Sequence, residues 1–241
     1  MTVRFDILRR EKAESMPYRQ VIEYTTDDPN ATVATALTAL NETVGLTDVE
    51  GRPVERIMWE CSCLQKKCGA CAMRINGLPR LACDTKLKDC GPTIQLEPLK
   101  KFPPVADLIV NRDVLHDNLK ALKVWLEDEA EPDERATDIA YEASRCLQCG
   151  CCLEVCPNFL PDFLGGKGQF AGTAAMPPLA RLIAELPREK KRELEKTYRK
   201  RFYEGCGKSL ACRNICPAGI DIERLLVNSN AMAVWKRLLK K

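Results

Sequence analysis

Eleven of the fourteen cysteines stand in three groups, and their spacing constrains this chain more than any other feature. Cys63, Cys68, Cys71 and Cys83 follow C-x4-C-x2-C-x11-C. Cys146, Cys149, Cys152 and Cys156 follow C-x2-C-x2-C-x3-C, and Pro157 comes next. Cys206, Cys212 and Cys216 keep most of that second frame, again followed by a proline, Pro217. The first spacing is that of plant-type [2Fe–2S] sites and the second that of bacterial-type cubane sites. Iron in such clusters takes soft anionic sulfur, which thiolate supplies, and short spacings let one loop wrap a cluster at a small loop-closure cost. The pattern implies a carrier of electrons through several iron–sulfur clusters.

Dense cysteine could instead be a disulfide framework, but that needs an oxidising compartment. The N-terminus, MTVRFDILRREKAE, is charged and lacks an apolar h-region, so no secretory signal is read there. Metal ligation in the cytosol or on an inner membrane face is the better reading. A formal charge of +3 is too small a bias to argue for a nucleic-acid partner or a membrane surface. No run approaches about 18 apolar residues, so no membrane span is expected. His116 is the single histidine, which excludes a zinc or haem scheme needing several imidazoles.

The 241 residues suit two domains. Residues 1–104 read as strands around one helix. Val3–Ile7 and Arg19–Thr25 alternate as a hairpin pair would, and Thr32–Val44 has helical spacing with Asp28 and Asn30 as capping candidates. Ile57–Glu60, Ala72–Ile75 and Thr93–Leu96 read as short strands, with Asn76-Gly77 and Gly91-Pro92 as turns. Pro98, Pro103 and Pro104 mark a boundary, and residues 105–241 read as all-helical: Ala106–Glu129, a start at Glu131-Pro132-Asp133, Thr137–Arg145, Pro178–Glu185, Pro187–Phe202 and Asp221–Leu239. The fold class expected is α+β. The run CLQCGCCLEVCP from Cys146 repeats as CGKSLACRNICP from Cys206, with allowance for a residue or two of shift.

In two-cluster ferredoxins the fourth cysteine of each run ligates the other cluster. That rule assigns Cys146, Cys149, Cys152 and Cys216 to a [4Fe–4S] cluster. The other site then holds Cys156, Cys206 and Cys212, and its remaining place falls on Ser209. A hydroxyl binds iron poorly unless deprotonated, so a [3Fe–4S] cluster is expected there; ligation by Ser209, or a water completing a cubane, is the alternative. For Cys63, Cys68, Cys71 and Cys83 the alternative to [2Fe–2S] is a four-cysteine zinc site, although x4-then-x2 is not the usual paired zinc spacing. Gly69 would bring backbone close to sulfide, and Lys66 and Lys67 would ease addition of an electron. Cys61, Cys90 and Cys151 read as small packed side chains, with Cys61 a spare ligand beside Cys63. Trp59, Trp125 and Trp235 read as core or interface anchors, and Arg188–Arg201 as a solvated helix face. No paired carboxylates, nucleophile–base pair or phosphate loop stands out, and Gly165-Gly166-Lys167-Gly168 lacks the Walker spacing.

These residues resemble the iron–sulfur subunit of succinate dehydrogenase and fumarate reductase over nearly the whole length. The likeness rests on CLQKKCGACAMRINGLPRLAC from Cys63 to Cys83, on Leu96-Glu97-Pro98-Leu99 with Phe102-Pro103 and Asp107-Leu108-Ile109-Val110, and on two Cys-Pro runs with a non-cysteine at position 209. It implies an N-terminal β-grasp ferredoxin domain facing a flavoprotein with covalent FAD. It implies a helical, bacterial-ferredoxin-like domain facing a quinone-binding membrane anchor. Electrons would pass between dicarboxylate and quinone through [2Fe–2S], [4Fe–4S] and [3Fe–4S] in that order, on the cytoplasmic face of the cell membrane. Ubiquinone-linked members usually carry tryptophan shortly after the first Cys-Pro, and often histidine after the cysteine matching Cys206. Here the residues are Pro157-Asn158-Phe159-Leu160-Pro161 and Gly207. The chain is more similar to menaquinone-linked bacterial enzymes, whose anchor is often a dihaem cytochrome b, and Pro157 matches the family where its backbone borders the quinone.

Two further readings come from other classes. One is the iron–sulfur subunit of a soluble fumarate reductase with a non-quinone donor. Thiol-linked relatives of that kind carry an extra cysteine-rich domain, whereas this sequence ends at Lys241. The other is a zinc-binding interaction module without redox chemistry.

Overall fold

The computed structural model describes residues 1–125, 129, 137–166, 170–186 and 191–235. The expected element start at Glu131-Pro132-Asp133, Lys167 and Gly168 of the glycine run, residues 187–190 and residues 236–241 lie outside them. The chain divides into two compact units, Met1–Asn111 and Arg112–Lys241.

In the first unit, β1 (Thr2–Arg9) alternates so that Val3, Phe5 and Ile7 turn inward, as its sequence period requires. It pairs antiparallel with β2 (Tyr18–Thr25), from Thr2 opposite Thr25 to Arg9 opposite Tyr18. A helix, α1 (Val33–Glu42), follows. Then come β3 (Ala72–Ile75), β4 (Leu78–Leu81) and β5 (Thr93–Glu97). The strand order is β2-β1-β5-β3-β4, with β5 parallel to β1 and the other pairs antiparallel. This mixed sheet with its single helix is the β-grasp arrangement. Helix α1 starts at Thr32, whose hydroxyl accepts from the Thr35 N–H in a capping box. Asp28 is not the cap; its carboxylate instead accepts from the Asn30 N–H at 2.8 Å in a preceding turn. The helix packs on the 3₁₀ turn Ala82–Asp84, which carries Cys83.

Ile57–Glu60 is not a strand. Its backbone is taken by side chains: Asn41 receives the Ile57 N–H at 2.8 Å and donates to the Ile57 carbonyl at 2.9 Å, and Asp107 receives the Met58 N–H at 2.8 Å. The helix expected over Ala106–Glu129 is confined, among the described residues, to α2 (Asp113–Ala121). Ahead of it β6 (Pro104–Ala106) and β7 (Ile109–Val110) form a ribbon in the first unit, turning at Asp107 with φ of 39°. Asp48 fixes the loop between α1 and the first cysteines. Burial alone would raise its pKa, but donors on Arg52, Gln20 and Glu50 outweigh it and hold the carboxyl at about 2.

In the second unit every regular element among the described residues is helical. Helix α3 (Thr137–Ser144) precedes the short α4 (Cys151–Val155). Helices α5 (Met176–Glu185), α6 (Lys191–Tyr198), α7 (Ala211–Ile215) and α8 (Ile222–Asn230) follow. Single π turns extend α6 over Arg199–Tyr203 and α8 over Ala231–Trp235. Ile139, Met176, Leu179, Ile183, Tyr198, Phe202 and Leu225 share one core, and Cys146, Cys206, Cys212 and Cys216 pack against it. Tyr198 donates to buried Asn230 at 2.6 Å. Leu194 and Tyr198 of α6 point inward while Arg192, Lys196, Arg199 and Lys200 stay in solvent. Trp125 and Trp235 are 47% and 38% exposed, so neither is a core anchor. His116 lies on the surface.

Candidate metal centres

The first cysteine group is built by a loop with three left-handed residues, Leu64, Lys66 and Gly69. Leucine and lysine avoid that conformation, at a cost of roughly 1–3 kcal/mol each. Alternating handedness turns successive N–H groups to one side, which makes a cradle for anions. The N–H groups of Gln65 and Lys67 both donate to the Cys63 sulfur at 3.3 Å, and that of Lys66 to the Cys83 sulfur at 3.4 Å. The Gln65 and Lys67 bonds hold the Cys63 thiol down at about 7. The Cys63 thiol also bonds that of Cys68, and the Cys71 thiol bonds that of Cys83. Of the four cysteines predicted from spacing, Cys63 and Cys83 thus accept N–H groups of this loop, and Cys68 and Cys71 stand beside them. Burial pushes Cys71 up to about 12, so its thiol ionises only when a metal compensates. The Lys66 ammonium pairs with Asp84 at 2.7 Å, so its charge is partly spent on a neighbouring carboxylate.

In the second unit the internal repeat is in register without any shift. Left-handed residues recur at Gln148 and Lys208, and at Gly150 and Leu210. Helices α4 and α7 begin at the next residue in each run and pack against each other. The turn bonds recur too: Leu153 N–H to Gly150 at 3.0 Å matches Arg213 N–H to Leu210 at 2.9 Å. Ser209 therefore stands in the frame position of Cys149. Both runs are tied to neighbours: Arg145 donates to the Ala218 carbonyl at 2.6 Å, and Glu142 accepts from the Asp221 N–H at 2.7 Å.

Two cavities result. One is lined by Cys146, Cys149, Cys152, Cys212 and Cys216 among apolar walls. The other is lined by Cys156, Cys206, Cys212 and Ser209. Crossing the runs brings Cys216 to the first and Cys156 to the second. Among the described residues no three histidine, cysteine, aspartate or glutamate side chains converge as they would on one ion. The thiols ring a void instead, which suits a cluster taking one thiolate per iron. Burial raises Cys152 and Cys212, and takes Cys146 to about 11. Cys149 is held at about 7, chiefly by a hydrogen bond from Cys151.

Sequence reasoning missed three contributors. Thr173 lines both cavities and hydrogen-bonds the Cys212 thiol. It follows Gly172, where a Cβ would come within 2.3 Å of the Leu153 side chain. Gln148 donates to the Cys146 sulfur at 3.2 Å, and Arg112 to the Cys149 carbonyl at 3.1 Å. Thr173 and Arg112 lie outside the cysteine runs; only Gln148 could have been suspected, from its place between two ligand positions. Of the three spare cysteines, Cys151 is fully buried and Cys90 half-buried, but Cys61 is exposed and not a packed side chain.

Residues 4–117 match the family described as a 2Fe-2S iron-sulfur cluster binding domain, and residues 142–220 that described as a 4Fe-4S dicluster domain. The succinate dehydrogenase iron-sulfur subunit of Bacillus subtilis (strain 168) is 35% identical over 92% of this chain and 88% of that protein. The fumarate reductase iron-sulfur subunit of Escherichia coli O157:H7 is 29% identical over 77% of each. A chain of the Mycobacterium smegmatis Sdh1 complex in the apo form superposes with a TM-score of 0.73 over 95% of this chain and 96% of that one, at 19% identity, a likeness of fold. The two-domain iron–sulfur architecture defines a class of electron carriers. Within it, the chain belongs to the family of succinate dehydrogenase and fumarate reductase iron–sulfur subunits, and its work is electron transfer.

Proposed function

We propose that this subunit passes single electrons between a FAD-containing flavoprotein, which interconverts succinate and fumarate, and a quinone-binding cytochrome b-type membrane anchor. Cys63, Cys68, Cys71 and Cys83 would hold [2Fe–2S]. Cys146, Cys149, Cys152 and Cys216 would hold [4Fe–4S], and Cys156, Cys206 and Cys212 would hold [3Fe–4S]. When bound, the clusters supply one-electron redox chemistry, which divides the two-electron chemistry of a flavin. The chain's residues supply thiolates, aim N–H groups at them, and exclude water from the cavities. The dicarboxylate site belongs to the flavoprotein in this reading. The observation that carries it is the second cavity, where three thiols share a wall with Ser209 in the fourth frame position.

Menaquinone is the proposed quinone, and one contact supports it. A Cβ on Gly207 would meet the Asn158 carboxamide oxygen at 2.6 Å. A side chain at 207 would thus require the Asn158 carboxamide to turn aside, which places the two departures from ubiquinone-linked members next to each other. Pro157, exposed beside this cavity, would border the quinone. The subunit would sit peripherally on the cytoplasmic face of the cell membrane; among the described residues no helix is long and apolar enough to cross one. Affinity purification of the tagged chain from detergent-solubilised native membranes is expected to bring down a larger flavoprotein and a haem-bearing membrane protein in equal amounts. Recovery of the chain alone, water-soluble and with full quinone activity, would refute the partners.

A further inference from the structure

The geometry points to Gln148 as the residue that sets the reduction potential of the four-iron site, by donating its carboxamide N–H to the Cys146 sulfur. The inference rests on Cys146 being a ligand, as proposed above. Nε2 of Gln148 lies 3.2 Å from Cys146 Sγ and 2.9 Å from the Ala174 carbonyl oxygen. A carbonyl oxygen only accepts, so Ala174 fixes which end of the amide faces inward. Turning the amide over would set two oxygens against each other and withdraw the N–H from sulfur. The far end, Oε1, is buried without a partner, so the two donor contacts alone decide the orientation.

The backbone reinforces this. Gln148 has φ of 49°, and that bend sets its side chain beside the Cys146 sulfur. Lys208 occupies the same bend in the other run with φ of 56°, but its ammonium is engaged with Tyr203, 4.9 Å from the ring centroid. The two cluster sites thus differ at this position. Gln148 and Cys146 also line a more open hollow together with Val124, Trp125, Arg181 and Glu185. Gln148 is accordingly part of the wall between the cavity and solvent.

Reduction takes one electron from the poising mediator and changes no bond or proton. The added negative charge spreads onto the ligand sulfurs, so an N–H aimed at one of them stabilises the reduced form more than the oxidised form. The test uses the cluster-loaded full chain in its complex, with Gln148→Leu and Gln148→Met, and reads the reduced four-iron EPR signal at a series of poised potentials. Methionine keeps the length and volume of glutamine but donates nothing. Both variants are expected to shift the equilibrium about tenfold toward the oxidised form, which is 59 mV lower for a one-electron couple. The [2Fe–2S] midpoint should not move. An unshifted four-iron midpoint, or an equal shift in both clusters, would overturn the inference. Loss of the four-iron signal in both variants would assign Gln148 to assembly and overturn it as well. Absence of that signal in the unaltered chain would instead bring down the ligand reading beneath it.

Discussion

In the Ser209→Cys variant, the near-isotropic EPR signal of an oxidised three-iron cluster is expected to disappear, and a cubane's signal to appear on reduction. Ser209 lies between left-handed Lys208 and Leu210, as Cys149 lies between left-handed Gln148 and Gly150. It lines the cavity that also holds Cys156, Cys206 and Cys212. A thiol there would supply the fourth soft ligand that a hydroxyl does not. Essentially all of the three-iron signal should be lost, and quinone reduction should slow with it, since the acceptor's redox partner has changed. Persistence of the signal at full intensity would mean that position 209 does not face the missing iron.

Asp107→Ala is expected to cost about 3–5 kcal/mol, the range for breaking a buried ion pair from one side. Arg9 and Asp107 are only 3% and 4% exposed, with Nε 3.1 Å from the carboxylate. That carboxylate also accepts the N–H of Arg10 at 2.7 Å and of Met58 at 2.8 Å. The guanidinium in turn donates to Gln20 at 2.7 Å and to the Glu55 and Arg56 carbonyls at 2.9 and 3.2 Å. Removing the carboxylate strands a buried cation and two N–H groups, and alanine tolerates the left-handed φ at this position less well than aspartate. Calorimetry should show Tm lower by on the order of 15 °C. Because Met58 leads into Cys63, the [2Fe–2S] absorbance should be lost earlier in the melt than in the unaltered chain. A cost under about 1 kcal/mol would show that the clasp is dispensable.

Periodicity exposed much of this fold and chemistry exposed the site, each where the residues had one dominant partner. Val3, Phe5 and Ile7 face a core, so alternation found β1. Leu78–Leu81 was harder to see, because Pro79 argues against a strand. It is tolerated because β4 is the sheet edge. Ile57–Glu60 looked like a strand, but Asn41 and Asp107 satisfy its backbone from far along the chain. The ribbon at Pro104–Val110 was hidden in an apolar run that suited a helix equally well. The cysteine groups were legible because iron imposes their spacing. The bends that aim N–H groups at sulfur were not, since Leu64, Lys66 and Leu210 are poor left-handed residues by propensity.

Iron and acid-labile sulfide, assayed in protein purified without oxygen, decide the reading that these cysteines hold clusters. Three clusters of the proposed kinds require about nine iron and ten sulfide per chain. Zinc bound to the cysteines, with no sulfide released on acidification, would contradict it.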